Sequence, residues 1–440
     1  MHLCISINQA RNNMYKLSYY IFFILYFFHI NALKAQVISP FSSLNSIGEI
    51  SDNSYANNLS MGGLGISNGS YWHLNSQNPA ALVYNGFTNF EMGIRSDIRQ
   101  IVNDISKDVT GNGNINYMGF GIPIVKDGKW VMSIGFNPYS NMSFKLFDQD
   151  QIENVGGGLT SALVNYEYQG EGGLTEVYFS NGIKLSKDLS FGLKGSYIFG
   201  KIISNTSSSI SNEPQFYSNL FERSIYNDYS LTSGVFYKNE ISDNTFIKVG
   251  FIYDIKSSLE AERFSQLERK IPNSLSVVVI DTILNNEIDN FIIPKSYGFG
   301  VSYEVLDKIS FGAEFRIQPW NKGSGFSENS NANYKNSLQV STGMELIPDA
   351  ENVNSFFKRV TYRGGIIYKS YPYLINGGNI NNIALTFGLS LPVGTISRIN
   401  LGFEAGKRGN IKNNLIKENY LKFIIGTSIN NIWFIKRKFD

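Results

Sequence analysis

The chain has 440 residues, 42% hydrophobic and 14% aromatic, with 41 Gly, 11 Pro and a single Cys. Mean hydropathy is only −0.13, and beyond the N-terminal leader no stretch approaches the roughly 20 apolar residues of a membrane helix. The leader carries Arg11, Lys16 and Lys34 and no acid, so its removal leaves 35 bases against 36 acids, a balance that gives no reason to expect nucleic acid or polybasic membrane docking.

The leader comes first. Lys16 precedes an apolar run from Leu17 to Ile30, and Ala32-Leu33-Lys34-Ala35 supplies small residues before Gln36. This is the pattern of a secretory signal peptide over residues 1–35, cleaved after Ala35, with Met14 as a second candidate start. No Cys comes after the apolar run, which excludes lipidation of a new N-terminal cysteine. Cleavage also removes Cys4, His2 and His29, leaving His73 as the one histidine. The mature chain then has no disulfide, thiol nucleophile or thiolate metal site.

Residues 36–86 are rich in Ser, Asn and Gly and show no sustained alternation. They are expected to form a hatch, a plug folded into the lumen of a barrel built by the rest of the chain. Ser60-Met61-Gly62-Gly63-Leu64-Gly65 offers glycines where backbone packs closely or takes positive φ. Asn78-Pro79-Ala80 is a rigid turn, because proline fixes its own φ and pushes Asn78 out of the helical region. Met61, Gly62, Gly63, Asn78, Pro79 and Ala80 are therefore the candidate hatch residues.

From about Phe87 to the C-terminus the rhythm has period two. Ile309, Phe311, Ala313, Phe315 and Ile317 interleave with Ser310, Gly312, Glu314, Arg316 and Gln318. Ile399, Leu401, Phe403 and Ala405 interleave with Asn400, Gly402, Glu404 and Gly406. Such segments are strands with one greasy and one wet face. Short connections fall at Lys126-Asp127-Gly128, Ser186-Lys187-Asp188, Asn239–Asn244, Leu306-Asp307-Lys308, Pro348–Phe356 and Val393–Ser397. Between them lie long polar stretches, expected to be loops: Ile98–Asn114, Leu146–Ala162, Asn205–Ile225, Ser258–Ile293, Asn321–Lys335, Ser370–Asn381 and Arg408–Glu418. Short periplasmic turns alternating with longer outer loops are the pattern of an outer-membrane barrel. The expected fold is an all-β antiparallel transmembrane β-barrel of about 14 strands, with the hatch 36–86 inside the lumen and the barrel over 87–440. An even strand number puts both termini in the periplasm of a Gram-negative type outer membrane.

Ser-Met-Gly-Gly-x-Gly (60–65) followed by Asn-Pro-Ala (78–80) just before the first strand resembles the hatch of the long-chain fatty acid outer-membrane transporter family, of FadL/TodX type. Ile293–Tyr303 with Lys308–Phe315 resembles a later hairpin of that family, as do Tyr362-Arg363-Gly364-Gly365 and the closing Trp433-Phe434. Ala81 stands after the Asn-Pro-Ala where those transporters commonly carry Gly. The resemblance extends to PorV-like barrels, accessory proteins of the type IX secretion system. It implies a plugged fourteen-stranded barrel whose outer loops form a first hydrophobic docking site.

By alternation Glu304, Glu314, Arg316, Glu345, Arg363, Glu404 and Lys422 point into the lumen. On the lipid face near the midplane an Arg or Lys would cost about 2–4 kcal/mol. Interior salt bridges holding barrel and hatch together outweigh recognition of a ligand head group as their role. Within Ser258–Ile293, a charged stretch Glu260–Lys270 carries Phe264 and Leu267 at helical spacing, and Val277-Val278-Val279-Ile280 forms an apolar run. That run either marks a binding surface or extends a hairpin and packs on a neighbouring loop.

Enzymatic chemistry finds no support. His73 is a lone base in the hatch, Gly156-Gly157-Gly158 and Gly406-Lys407-Arg408-Gly409 lack phosphate-loop spacing, and Asp148-Gln149-Asp150 falls short of a calcium loop. Trp130, Tyr139, Trp320, Trp433 and Phe434 read as interface girdles. No catalytic residue, cofactor or metal is expected. The expected function is passive transport of fatty-acid-like hydrophobic small molecules. The alternative is a non-transporting barrel that docks a secretion or surface-assembly protein at its extracellular loops. Expected partners are thus outer-membrane lipid, a hydrophobic small molecule and a protein at the outer loops, with no nucleic acid.

Overall fold

The computed structural model describes residues 38–432 apart from 53, 126–128, 157–158, 211–216, 272–276, 321–324, 327–333, 376, 395 and 415. The leader, Lys126-Asp127-Gly128, most of Asn321–Lys335 and Trp433-Phe434 lie outside the described residues. A two-residue strand, β1 (Glu49–Ile50), a helical turn, α1 (Ala56–Leu59), and a 3-10 turn (Pro79–Tyr84) precede the barrel. The next strands are β2 (Thr88–Val102), β3 (Lys107–Val125), β4 (Trp130–Gly156), β5 (Leu159–Lys184), β6 (Leu189–Ile210) and β7 (Tyr217–Ser242). Then come β8 (Thr245–Asp254), β9 (Ser257–Lys270), β10 (Val277–Ile293), β11 (Ser296–Val305), β12 (Ile309–Gln318) and β13 (Ser337–Leu346). The last are β14 (Thr361–Ile375), β15 (Gly378–Val393), β16 (Ser397–Gly409) and β17 (Lys417–Asn431).

These 17 segments make a closed wall of 14 antiparallel strands. β1 belongs to the N-terminal segment. β8 and β9 are one wall strand interrupted at Ile255-Lys256, since β7 pairs first with β8 and further out with β9. β10 and β11 are one strand interrupted at Pro294-Lys295, where proline has no N–H for the ladder. β17 closes on β2, with Asn431 opposite Thr88 and Lys417 opposite Val102. The first and last wall strands thus start and finish at the end where the short turns lie.

Alternation decides what faces where. Along β15, Ile383, Leu385 and Phe387 point outward while Ala384, Thr386 and Gly388 point inward, and Leu385 is 62% exposed. Along β12, Phe311, Ala313 and Phe315 are outside and Ser310, Gly312 and Glu314 inside. A soluble protein hides its apolar faces; this one displays them around its girth, as a barrel solvated by lipid does.

Several of the long polar stretches, Leu146–Ala162, Asn205–Ile225 and Ser258–Ile293 among them, are largely paired strand where described, whereas Arg408–Glu418 holds a helical turn at Ile411–Asn414. β4 and β5 stay paired out to Gly156 and Leu159, and Ser258–Ile293 is the β9–β10 hairpin. Glu260–Lys270, with its helix-like spacing, is extended in β9. At the bases of these ribbons Leu259, Ala261 and Phe291 still pack on the inner face with Phe144, Ile202 and Tyr226, and further out the ladder hydrogen bonds continue without a sustained hydrophobic period. Val277–Ile280 ends that hairpin with its side chains 48% to 57% exposed instead of packed on a neighbour.

Candidate functional site

Residues 38–86 pack against the inward side chains of the wall. Gly62 takes φ +71°, and a Cβ there would lie 2.5 Å from the Thr342 carbonyl oxygen, so conformation and space both bar a side chain. Its N–H donates to Thr386 Oγ1 at 2.9 Å, and that hydroxyl donates to Ser60 O at 3.3 Å. Met61 is buried against Gly343, and the Gly63 carbonyl accepts from Gln77 Nε2 at 3.1 Å. Asn78 Oδ1 caps the adjoining turn by accepting from Ala80 N–H at 3.0 Å, while its Nδ2 donates to Ile66 O at 2.7 Å and Val235 O at 3.3 Å. Pro79 occupies the first position of that turn, and the buried Ala80 carbonyl accepts from Ser190 Oγ at 2.9 Å.

The lumen charges are distributed rather than gathered. Glu314 meets the hatch directly, accepting from Gly65 N–H at 3.0 Å, Ser67 N–H at 2.8 Å and Ser67 Oγ at 3.1 Å. Glu304 pairs at 2.7 Å with Lys248, whose Nζ also donates to Gly69 O at 3.1 Å. Glu345 pairs with Arg363 at 2.6 Å and Glu404 with Lys422 at 2.9 Å, both within the wall. Arg316 stands 3.6 Å from Asp254. His73 Nδ1 lies 3.0 Å from Ser428 Oγ and 3.4 Å from Glu91; both meet the same ring nitrogen, so no carboxylate–imidazole–hydroxyl relay forms.

One seam of the wall depends on the N-terminal segment. β3 and β4 pair only where Met118–Val125 faces Phe136–Trp130. Further out, β4 turns to β1: Ile50 stands opposite Ser140 and Glu49 opposite Asn141. Ser51 N–H donates to Tyr139 O at 2.9 Å and Ser39 N–H to Ser143 O at 2.7 Å. On its other side the segment is clasped by ions. Arg408 of β16 donates to Glu49 at 2.5 Å, to Glu418 of β17 at 2.5 Å and to Ser39 Oγ at 2.7 Å. Arg99 of β2 reaches Glu418 at 3.2 Å, and Lys369 holds Asp52 at 2.7 Å.

Beside this segment lie two chambers. One, of about 110 Å³, is lined by Phe41, Ile50, Trp320, Tyr371, Tyr373 and Ile380 together with Arg316, Lys369 and Arg408. The other, of about 160 Å³, is more polar, with Tyr139, Glu176, Lys194 and Asp254 in its wall. Ile50, Ser51 and Asp52 border both. Two of the expected girdle aromatics therefore face inward. Trp320 is 3% exposed, donates its indole N–H to Gln318 Oε1 at 3.1 Å and packs near Tyr334 and Tyr373. It lies just past the end of β12, where strand parity no longer assigns a side. Tyr139 packs near Ile50 because the bulge between Pro138 and Ser140 resets the alternation. Trp130 does stand on the outer surface.

Sequence reasoning missed Thr386, Ser190, Lys248, Lys369 and Arg408 as hatch contacts. Lys248 sits between Ile247 and Val249, an inward parity the sequence displays. Arg408 was hidden by assigning its surroundings to a loop.

Solved structures resemble this fold at low identity, which shows the architecture. The toluene transporter TodX of Pseudomonas putida matches at 13% identity and TM-score 0.55, covering 87% of this chain and 100% of that one. The toluene transporter TbuX of Ralstonia pickettii matches at 13% identity and TM-score 0.52, covering 86% and 98%. A FadL homologue of Pseudomonas aeruginosa matches at 12% identity and TM-score 0.52, covering 85% and 97%. No curated protein sequence matches the chain. The sequence profile of one family, BamG, matches residues 14–440, nearly the whole chain, and the protein belongs to the BamG family.

Proposed function

We propose that this chain is an outer-membrane barrel, with both termini periplasmic and residues 36–86 as its hatch, that passes hydrophobic small molecules. The observation that carries the reading is the β3–β4 seam, closed by residues 39–51 beside an aromatic chamber. A molecule seated against Trp320, Tyr371 and Tyr373 needs only the displacement of that segment to leave sideways into lipid. The chamber's charges are internally matched, Lys369 by Asp52, Arg408 by Glu49 and Glu418, and Arg316 by Asp254. Matched charges favour an uncharged ligand over a carboxylate. The 110 Å³ volume is near that of engineered apolar cavities, about 150 Å³, that admit benzene. A fatty-acid-like chain would have to extend into the neighbouring chamber.

The test is a reversible lock. Ile50→Cys with Ser140→Cys, facing residues in a mature chain without cysteine, should form a disulfide across the seam. Uptake of toluene and of a long-chain fatty acid by cells expressing the oxidised variant should fall to that of cells lacking the protein, and recover on reduction. Uptake by the oxidised form equal to wild type would rule out this route.

A second reading, a barrel that docks a secretion or surface-assembly protein, is supported by the exposed Val277–Ile280 run at the tip of β9–β10. Purification in mild detergent should then recover a stoichiometric partner, lost when Val278 and Ile280 are replaced by Asp. Recovery of the barrel alone counts against it.

A further inference from the structure

Outside the lumen, beyond the apolar band, five strands of the wall present a flat polar face. Register places Phe147, Glu167, Ser207, Asn219 and Glu268 directly opposite one another on β4, β5, β6, β7 and β9. Two residues inward along the strands, Lys145, Gln169, Asn205, Phe221 and Gln266 form a parallel row, and Gln149, Asn165 and Ser209 begin a third. β6 pairs with both neighbours without a register shift, so Asn205 and Ser207 share the outward face with Tyr197 and Phe199. The platform therefore rises straight from the outer aromatic residues. A groove of about 530 Å³ lies along it, within the range of small-ligand sites.

Its chemistry is specific in kind. Amides and hydroxyls offer and accept hydrogen bonds across the rows and carboxylates accept them: Ser207 Oγ donates to Asn219 Oδ1 at 2.9 Å, and Asn219 Nδ2 to Glu268 at 2.9 Å. Gln169 and Ser209 make no side-chain hydrogen bond among the described residues, leaving an amide and a hydroxyl to an incoming ligand. The carboxylates are matched, Glu167 by Lys145 at 2.7 Å and Glu268 by Lys270 at 3.0 Å, so the face has no surplus charge. At one end Phe147 is 71% exposed, with the Lys145 ammonium 5.1 Å from its ring centroid, and Tyr166 and Tyr217 also line the groove. A ring face beside a ladder of amides and hydroxyls fits a molecule with a C–H-rich face and a rim of hydroxyls.

We propose that this groove binds a neutral oligosaccharide, with Phe147 as the stacking platform and Gln169 and Ser209 among its hydrogen-bonding groups. It rests on the reading of the barrel as an outer-membrane protein with its ribbons outward, where the saccharide belongs either to a glycolipid of the surrounding leaflet or to a free glycan. The full chain is purified in detergent micelles and titrated with maltohexaose and with dephosphorylated core oligosaccharide released from lipopolysaccharide. In a second arm it is placed in nanodiscs containing intact lipopolysaccharide. Phe147→Ala replaces an exposed ring and Gln169→Ala with Ser209→Ala replaces half-buried groups, and unboiled gel mobility checks that each variant remains folded. Wild type should bind in at least one arm, each variant about tenfold more weakly, with little change at about 0.5 M salt. Binding of maltohexaose assigns a free glycan as source, and binding of the core oligosaccharide without maltohexaose, or in the nanodisc arm alone, assigns the glycolipid. No saccharide binding in either arm, equal binding by wild type and both variants, or loss of binding in salt would overturn the proposal. The micelle arm does not depend on where the barrel resides, and the uptake experiment tests that reading separately.

Discussion

Between β15 and β16 the ladder runs unbroken from Val393 and Ser397 to Asn382 and Arg408, whereas between β3 and β4 it stops at Met118 and Phe136. The first seam is closed by its own backbone and needs nothing else. The second is closed by a borrowed strand of two residues, a few flanking hydrogen bonds and an ionic clasp across the lumen. One barrel thus contains a joint paired along its whole length and one whose ladder stops short beside a distant segment, and the difference lies in which hydrogen bonds are local. A ladder between adjacent strands re-forms whenever it frays; one made with a distant segment is lost when that segment leaves.

The largest expected effect comes from removing the borrowed strand. Deleting residues 38–52 should convert a quiet barrel into a conducting one in planar bilayers; unchanged conductance would remove this segment from the seal. Next, Arg408→Met removes the nearer of two cations shared by Glu49 and Glu418, leaving Arg99 at 3.5 Å and 3.2 Å, so the loss should approach but not exceed the roughly 3–5 kcal/mol of breaking a buried pair. The temperature at which the folded band disappears from unboiled gels should drop markedly, and the leak should rise with it. On the fully paired side, Leu385→Arg puts a charge on the lipid face of β15 and should destabilise the fold by about 2–4 kcal/mol without raising conductance. A leak in that variant would mean the two joints are not as different as their ladders suggest. Lys145→Met, at an exposed ion pair, should change stability by no more than about 1 kcal/mol in a urea titration.

The barrel was legible because lipid imposes a period. Ile309–Gln318 and Ile399–Gly406 alternate as any two-faced strand does, and the short turns that punctuate them turn that rhythm into a barrel. Where lipid ends, the period ends, and β6 closes as Ser-Asn-Thr-Ser-Ser-Ser-Ile, a composition that says loop although the chain is still paired. The hatch sequences gave the positions of tight backbone, Gly62 and Asn78, since positive φ and a proline-led turn leave marks in composition. What they could not give is the other half of each contact. Thr386, Ser190 and Lys248 look like any inward polar residue until register and curvature bring them to the plug. Tyr139 and Trp320 were misplaced for a related reason, a bulge in one case and a strand end in the other, each cancelling the parity that assigns a strand residue to its face.

The clasp also has a consequence for synthesis and assembly. Ser39 and Glu49 are among the earliest described residues of the chain, and Arg408 and Glu418 belong to its final hairpin. Their bonds span more than three hundred residues, as the separation of 369 between Ser39 and Arg408 illustrates. Contacts so distant in sequence form only after the intervening chain has been ordered. The N-terminal segment can pair with β4 as soon as that strand is laid down, but its ionic clasp is completed only when β16 and β17 arrive. A chain cut short before its last hairpin would keep the backbone bonds to β4 but lack the ionic half of the closure, which ties the strength of the seal to completion of the barrel.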